Sequence, residues 1–158
     1  MASIDRADWH YGGDYPKELP TENGGTHIGM YINWIIDSGL IGELHLEDSK
    51  QGIQDVKSRK ITGRDFLIDY CDEKFWEDDL NKEGLEFTKY YYQNPSNPED
   101  AYGEYIDDYQ RILGTEFNSL YEVPNTLENY VKIAKQINAI YDRWKNKGNK
   151  KPWQFWRK

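Results

Sequence analysis

The clearest pattern of apolar and polar positions begins at Thr26. Ile28, Tyr31, Ile32, Ile35 and Ile36 recur at i, i+3, i+4, i+7 and i+8, the spacing of one helix face. Thr26 is suited to cap this helix, and Gly39 stands where a left-handed residue ends one. Met30 and Trp34 add apolar surface on flanking faces, so the helix is predicted to be central. Asp48 with Gln51 has the form of a capping box opening a short helix through Ile53 and Val56. Thr62 with Asp65 opens another, in which Phe66, Leu67, Tyr70 and Cys71 share a face. A helical segment over 85–92 ends at Asn94-Pro95. Asn97-Pro98 then supplies a cap and a first-turn proline for a helix carrying Tyr102, Tyr105, Ile106, Tyr109, Ile112 and Leu113, stopped by Gly114. The last long helix is predicted to start at Asn125 with Glu128 as its box partner. It runs through Leu127, Tyr130, Val131, Ala134, Ile137, Tyr141 and Trp144.

Period-two alternation occurs in one place, Phe117 to Val123, which predicts a strand. Over 8–26, Gly12-Gly13, Pro16, Pro20 and Gly24-Gly25 predict a turn-rich segment, and Trp9, Tyr11 and Tyr15 imply that it packs onto the domain. The fold class is therefore mainly α: a compact, bundle-like, multi-helix single domain with at most a minor strand pair. Residues 1–146 form the domain, 1–25 its irregular Gly/Pro-rich arm, and 147–158 a basic aromatic tail that Gly148 and Pro152 separate from the last helix. No internal repeat is present.

Composition changes this picture in two respects. Hydrophobic residues are only 37% of the 158, but six Trp, thirteen Tyr and five Phe make a ring-rich core feasible. A net charge of −8 repels nucleic acid and suits a cationic partner. With Cys71 alone, no internal disulfide can form. The first eight residues lack an apolar core of the secretory type, and the apolar run from Ile28 to Ile36 is too short to span a bilayer. The expected location is the cytoplasm.

Catalytic chemistry has few candidates. His10 and Asp14 straddle a Gly-Gly turn and His27 lies at the start of the central helix, so a turn can join the three into a metal or acid/base site. Histidines beside aromatic rings are ordinarily structural hydrogen-bonding residues, and the third histidine, His45, also lies in the first third of the chain. Cys71 lies on an apolar face with no histidine within twenty residues, as a core cysteine does. Gly24-Gly25-Thr26-His27-Ile28-Gly29 lacks the lysine and the preceding strand of a phosphate loop. Glu104, Asp107 and Asp108 place carboxylates on one helix face, but no Glu-x-x-His element accompanies them. No cofactor and no metal are expected, and the chain is read as a non-enzyme.

Charge is distributed unevenly. From Asp65 to Asp108 there are fourteen acids against three bases, a net of −11. From Lys132 onward there are nine bases against one acid, a net of +8. The acidic part is densest at Asp72, Glu73, Glu77, Asp78 and Asp79, which enclose Phe75 and Trp76. Such a segment is either a solvated turn with its rings inward or a contact surface on which aromatics anchor and carboxylates steer a basic protein. Inhibitors of nucleases commonly use this chemistry. The tail residues Trp153, Phe155 and Trp156 fold back onto the domain, dock into a partner, or touch an anionic membrane weakly and reversibly. A contact between tail and acidic half, within a chain or across a homodimer, is also open.

Trp9-His10-Tyr11-Gly12-Gly13-Asp14-Tyr15-Pro16, Thr26-His27-Ile28-Gly29-Met30-Tyr31, Cys71-Asp72-Glu73-Lys74-Phe75 and Tyr105-Ile106-Asp107-Asp108-Tyr109 together resemble a family of uncharacterised bacterial proteins. The resemblance runs to about Trp144 and implies no activity or catalytic residues. In size and acidity the chain is similar to the immunity proteins that neutralise antibacterial toxins delivered between cells. The expected function is accordingly that of an immunity or antitoxin-like protein occluding a basic toxin, a nuclease among the candidates. Its expected contacts are Asp72, Glu73, Trp76, Glu77, Asp78, Asp79, Glu104, Asp107 and Asp108. The alternatives are an enzyme centred on His10, Asp14 and His27, and a peripheral membrane adaptor acting through the tail. No nucleic-acid partner and no stable membrane association are expected.

Overall fold

The longest uninterrupted burial in the chain runs from Gly24 to Ile36, and the fold is organised around it. The computed structural model describes residues 2–93 and 102–149. Within them lie β1 (Ser3–Arg6), α1 (Ala7–Tyr11), α2 (Thr26–Asp37), α3 (Glu43–Asp48), α4 (Lys50–Lys57), α5 (Gly63–Cys71), β2 (Lys74–Trp76), α6 (Lys82–Tyr91), α7 (Glu104–Leu113) and α8 (Leu127–Asn149). The protein is mainly α, a single domain with eight helices and one two-stranded sheet among the described residues.

Helix α2 is the hub, as its apolar residues on several faces predict: every residue from Thr26 to Ile36 is buried. It packs against α5, α4 and α8, and α8 in turn carries α6 and α7. The closest approach is between α2 and α5. A β-carbon placed on Gly63 would lie 1.9 Å from the Gly29 carbonyl oxygen, and one on Gly29 would lie 2.4 Å from the Arg64 backbone. Only glycines let the two backbones meet here. Rings fill the remaining core: Tyr31, Trp34, Phe75, Phe87, Tyr91, Tyr92, Tyr105 and Tyr109 are fully buried. They meet in edge-to-face and stacked pairs, such as Tyr31–Tyr92 at 4.9 Å and Tyr92–Tyr105 at 5.0 Å between centroids.

Thr62 and Asp65 form the predicted capping box at α5, and Gly39 takes the left-handed conformation at φ +73°. Other expectations are corrected. The first 25 residues are not wholly irregular: β1 and α1 form there, with a 3-10 turn at Thr21–Gly25, because Ile4, Asp5, Ala7 and His10 are buried. β1 pairs antiparallel with β2, a partner more than sixty residues away. Phe117 to Val123 is not a strand. Ser119 accepts from the Tyr121 N–H and opens a 3-10 turn at Leu120–Glu122, leaving Phe117 exposed. Gly25, not Thr26, precedes α2, and the Thr26 hydroxyl accepts from Arg64 instead. Asp48 ends α3 rather than opening α4, so the Asp48–Gln51 box does not form.

Tyr102 precedes α7, which starts after Gly103. Thr126 caps α8 through the Asn129 N–H, while Asn125 donates to Thr62, so Asn125 and Glu128 do not form the predicted box. Ile133 and Ile140 lie in the core where Leu127 and Val131 were expected; the latter two are exposed. Helix α8 continues through Gly148 to Asn149, so Gly148 does not end it. The predicted stop at Asn94-Pro95, the cap at Asn97-Pro98, and Trp153, Phe155 and Trp156 lie outside the described residues.

Candidate functional site

Two regions concentrate chemistry. The first is a buried polar cluster around Asp5, which β1 carries into the core with no solvent exposure. His10 comes from α1 and His27 from the first turn of α2, and both turn their Nε2 atoms to this carboxylate. His10 Nε2 lies 2.9 Å from Oδ1 and His27 Nε2 lies 3.2 Å from Oδ2. The Arg6 N–H (2.8 Å) and Tyr102 hydroxyl (3.3 Å) also donate to Oδ1, and the Tyr92 hydroxyl (2.5 Å) donates to Oδ2. Five donors thus hold one carboxylate. Burial alone would raise the Asp5 pKa, but the hydrogen bonds and charge interactions of His10 and His27 outweigh it and hold the group well below the usual carboxylate range.

An ionised Asp5 only accepts, so both facing Nε2 atoms carry hydrogen. In a neutral imidazole that fixes the tautomer, so a neutral His10 presents its Nδ1 as acceptor to the Tyr121 hydroxyl, 2.6 Å away. Tyr121 is half-buried, and burial followed by the Asp5 charge pushes its pKa up to about 12. Burial lowers the His27 pKa and keeps that ring neutral, and its Nδ1 has no hydrogen-bond partner among the described residues. A carboxylate–imidazole–phenol line therefore leads from the core to a half-exposed ring. Asp5, His10 and His27 also offer a carboxylate oxygen and two ring nitrogens within 4.8 Å of one another, a set able to hold a metal.

The second region is the acidic corner where α5 gives way to β2. Asp72 and Glu73 both adopt left-handed backbone, at φ 53° and 61°. Such residues each cost on the order of 1 kcal/mol, and surrounding structure must hold them. Here the Glu73 N–H donates to the Leu67 carbonyl and the Glu73 carbonyl accepts from the Ala7 N–H. That last bond and the Arg6–Lys74 register lay the start of α1 beside the corner. Trp9 is 50% exposed, with the Arg6 guanidinium 6.0 Å from its ring. Arg6 pairs with Asp8 at 2.7 Å and Lys74 with Asp72 at 3.2 Å. The Tyr11 hydroxyl lies close enough that, after burial, Glu73 and Asp8 raise its pKa. Asp8, Trp9, Tyr11, Asp72 and Glu73 thus share one surface with Arg6 and Lys74, which pair with two of its three acids.

The predicted residues divide on this geometry. His10 and His27 come together, but the carboxylate between them is Asp5; Asp14 is exposed on the turn and is not part of the cluster. Asp72 and Asp78 are exposed, and Glu73, Trp76 and Glu77 half-buried. Asp79 is not at the surface. It is buried, accepting from the Trp76 N–H at 2.7 Å and meeting His45 Nε2 at 2.6 Å. Phe75 is fully buried. Glu104 and Asp107 are exposed on α7, while Asp108 is half-buried and accepts from Tyr91, Gln136 and Arg111.

Sequence reasoning missed Asp5, Tyr92, Tyr102 and Tyr121 as partners of the histidines. Nothing in the chain marks Asp5, which stands among Ser3, Arg6 and Asp8 like a residue of a solvated segment. The fold and its buried polar cluster define a mainly helical domain with a minor two-stranded sheet. The chain belongs to the family described as Domain of unknown function (DUF7832), which matches residues 3–123 and so takes in the Asp5 cluster and the acidic corner. No curated protein and no solved structure matches the chain significantly. No helix among the described residues is long and apolar enough to cross a membrane.

Proposed function

We propose that the protein is a binding protein of the immunity or antitoxin type, whose acidic corner occludes the basic cleft of an antibacterial toxin, a nuclease being the chemistry that suits it. One observation carries this reading: an exposed tryptophan and a tyrosine from the N-terminal block stand beside Asp8, Asp72 and Glu73 on one surface. A large ring supplies the anchor and the carboxylates steer a cationic partner, the division of labour found in tight interfaces. The left-handed backbone of Asp72 and Glu73 supports it too, because strain of this kind concentrates where a loop is held for binding. The similarity in size and acidity to immunity proteins points the same way.

The test is calorimetric titration of the full chain with the protein encoded beside it in the genome, at low and high salt, coupled to protection of cells expressing that protein. Trp9→Ala and the pair Asp72→Lys, Glu73→Lys are each expected to weaken capture at least tenfold, and the charge-reversing pair also to reduce its salt dependence. Unchanged affinity in both variants overturns the proposed surface.

A second reading, acid/base chemistry, is favoured by the line Asp5–His10–Tyr121 reaching a half-exposed hydroxyl. It requires Tyr121→Phe to abolish an activity while leaving the fold and partner binding intact.

A further inference from the structure

A second buried cluster has a different composition. His45 comes from α3, Cys71 from the last turn of α5, and Asp79 from the 3-10 turn at Glu77–Asp79 that follows β2. His45 Nε2 lies 2.6 Å from Asp79 Oδ1 and 3.8 Å from Cys71 Sγ, and the three atoms lie within 4.8 Å of one another. All three residues are buried, at 4%, 8% and 5% exposure. We propose that His45, Cys71 and Asp79 form a binding site for a thiophilic divalent cation, with zinc the best match.

The donor set carries the chemical class. One sulfur, one imidazole nitrogen and one carboxylate oxygen suit zinc and its cobalt surrogate, whereas magnesium and calcium take oxygen ligands. Charge balance agrees. A thiolate, a carboxylate and a neutral imidazole together offset a 2+ ion, and a buried site tolerates little residual charge. Binding a cation therefore releases one proton, from the Cys71 thiol, to solvent.

The groups around the three ligands are those that orient a metal site. In the metal-free protein His45 Nε2 carries the hydrogen that it shares with Asp79. When a cation takes Nε2 that hydrogen moves to Nδ1, where the Ser49 hydroxyl, 2.9 Å away, can accept it. A metal-ligating histidine characteristically has such a partner on its other nitrogen. Asp79 Oδ2 is held by the Trp76 N–H, so Oδ1 is fixed toward His45. The Phe66 ring, 5.3 Å from the imidazole between centroids, closes the apolar side. With the ion in place, three protein ligands leave a fourth position for water, and the site clips α3, α5 and the turn carrying Glu77 and Asp78 to one another. The Asp5 cluster differs in having no sulfur and five donors already directed at its carboxylate.

The experiment uses the full chain stripped of metal with a chelator and titrated with Co2+. The expected result is a thiolate-to-cobalt charge-transfer band saturating at one equivalent, displaced by Zn2+ and unaffected by Mg2+. Cys71→Ser is expected to remove the band. Because that variant can fail by misfolding, Ser49→Ala supplies the second arm, with zinc affinity falling on the order of tenfold. The unmodified chain supplies a third: Zn2+ should slow alkylation of its single thiol. Cobalt bound without the charge-transfer band places the metal elsewhere, at the Asp5 cluster for instance, and overturns the proposal. So does full-rate alkylation of Cys71 in saturating Zn2+. None of these readouts involves toxin capture, so this proposal and the binding reading fail independently.

Discussion

The protein buries two clusters of imidazole and carboxylate, and they differ in what else surrounds the carboxylate. Around Asp5, five donors from four separate parts of the chain converge on one carboxylate, and each facing imidazole presents an N–H. Around His45, three groups able to act as ligands face one another, with a single backbone N–H and one serine holding them from outside. A buried carboxylate surrounded by donors is satisfied and rigid. A buried thiol, carboxylate and imidazole facing one another favour a cation that would neutralise them. An imidazole against a carboxylate does not by itself separate a polar staple from a ligand set; the number of donors already on the carboxylate and the presence of a thiol do.

Breaking the first cluster should have the largest effect. Asp5→Asn puts an amide NH2 where two imidazole N–H groups and two phenols donate, and removes the charge they were arranged to meet. We expect a loss of about 3–5 kcal/mol in urea unfolding, with the chain at the edge of folding. A loss under 1 kcal/mol would show that Asp5 is not the keystone. The contact between the two clusters comes next, since α2 carries His27 and α5 carries Cys71. Gly63→Ala forces the helices apart at the Gly29 carbonyl and should cost about 3 kcal/mol by the same measurement. In metal-free protein Asp79→Asn should cost less than Asp5→Asn, about 1–2 kcal/mol, because it disturbs two hydrogen bonds rather than five.

The pH dependence sharpens the contrast further. The folded-state pKa values of His27 and Asp5 both lie below their unfolded values. The unfolded chain therefore binds protons first as pH falls, and the stability these groups contribute is present above the unfolded pKa and lost on acidification. Unfolding free energy should begin to decline below the ordinary histidine value of 6.5, from His27, and decline again below the ordinary aspartate value of 3.8, from Asp5. Chemical denaturation at several pH values in the wild type and in His27→Gln checks this; the variant should lose the first decline and keep the second. Smallest of all is Trp9→Ala. This exposed ring should alter stability by no more than about 0.5 kcal/mol, measured by thermal melting, even though partner capture is expected to weaken at least tenfold.

The sequence by itself determined the helical class, the central α2, the Thr62–Asp65 cap of α5 and the run of acids at Asp72–Asp79, whose last member the fold buries. Each rests on local information, such as a 3.6-residue period, a side chain three residues from its N–H, or a run of charge. It also pointed to His10 and His27 as neighbours, but paired them with Asp14 across a turn. Only the tertiary structure decided that Asp5 stands between them, that Tyr92, Tyr102 and Tyr121 complete the network, and that Cys71 meets His45 and Asp79. It also decided that a four-residue and a three-residue strand pair across the chain while the alternating 117–123 stretch does not. The reason is physical. A hydrogen bond between residues separated by twenty to more than a hundred positions leaves no period and no spacing in the chain, and a short strand shows too few alternations to be read. Such partners exist only once a ring-rich core has packed and the polar groups it traps must find one another.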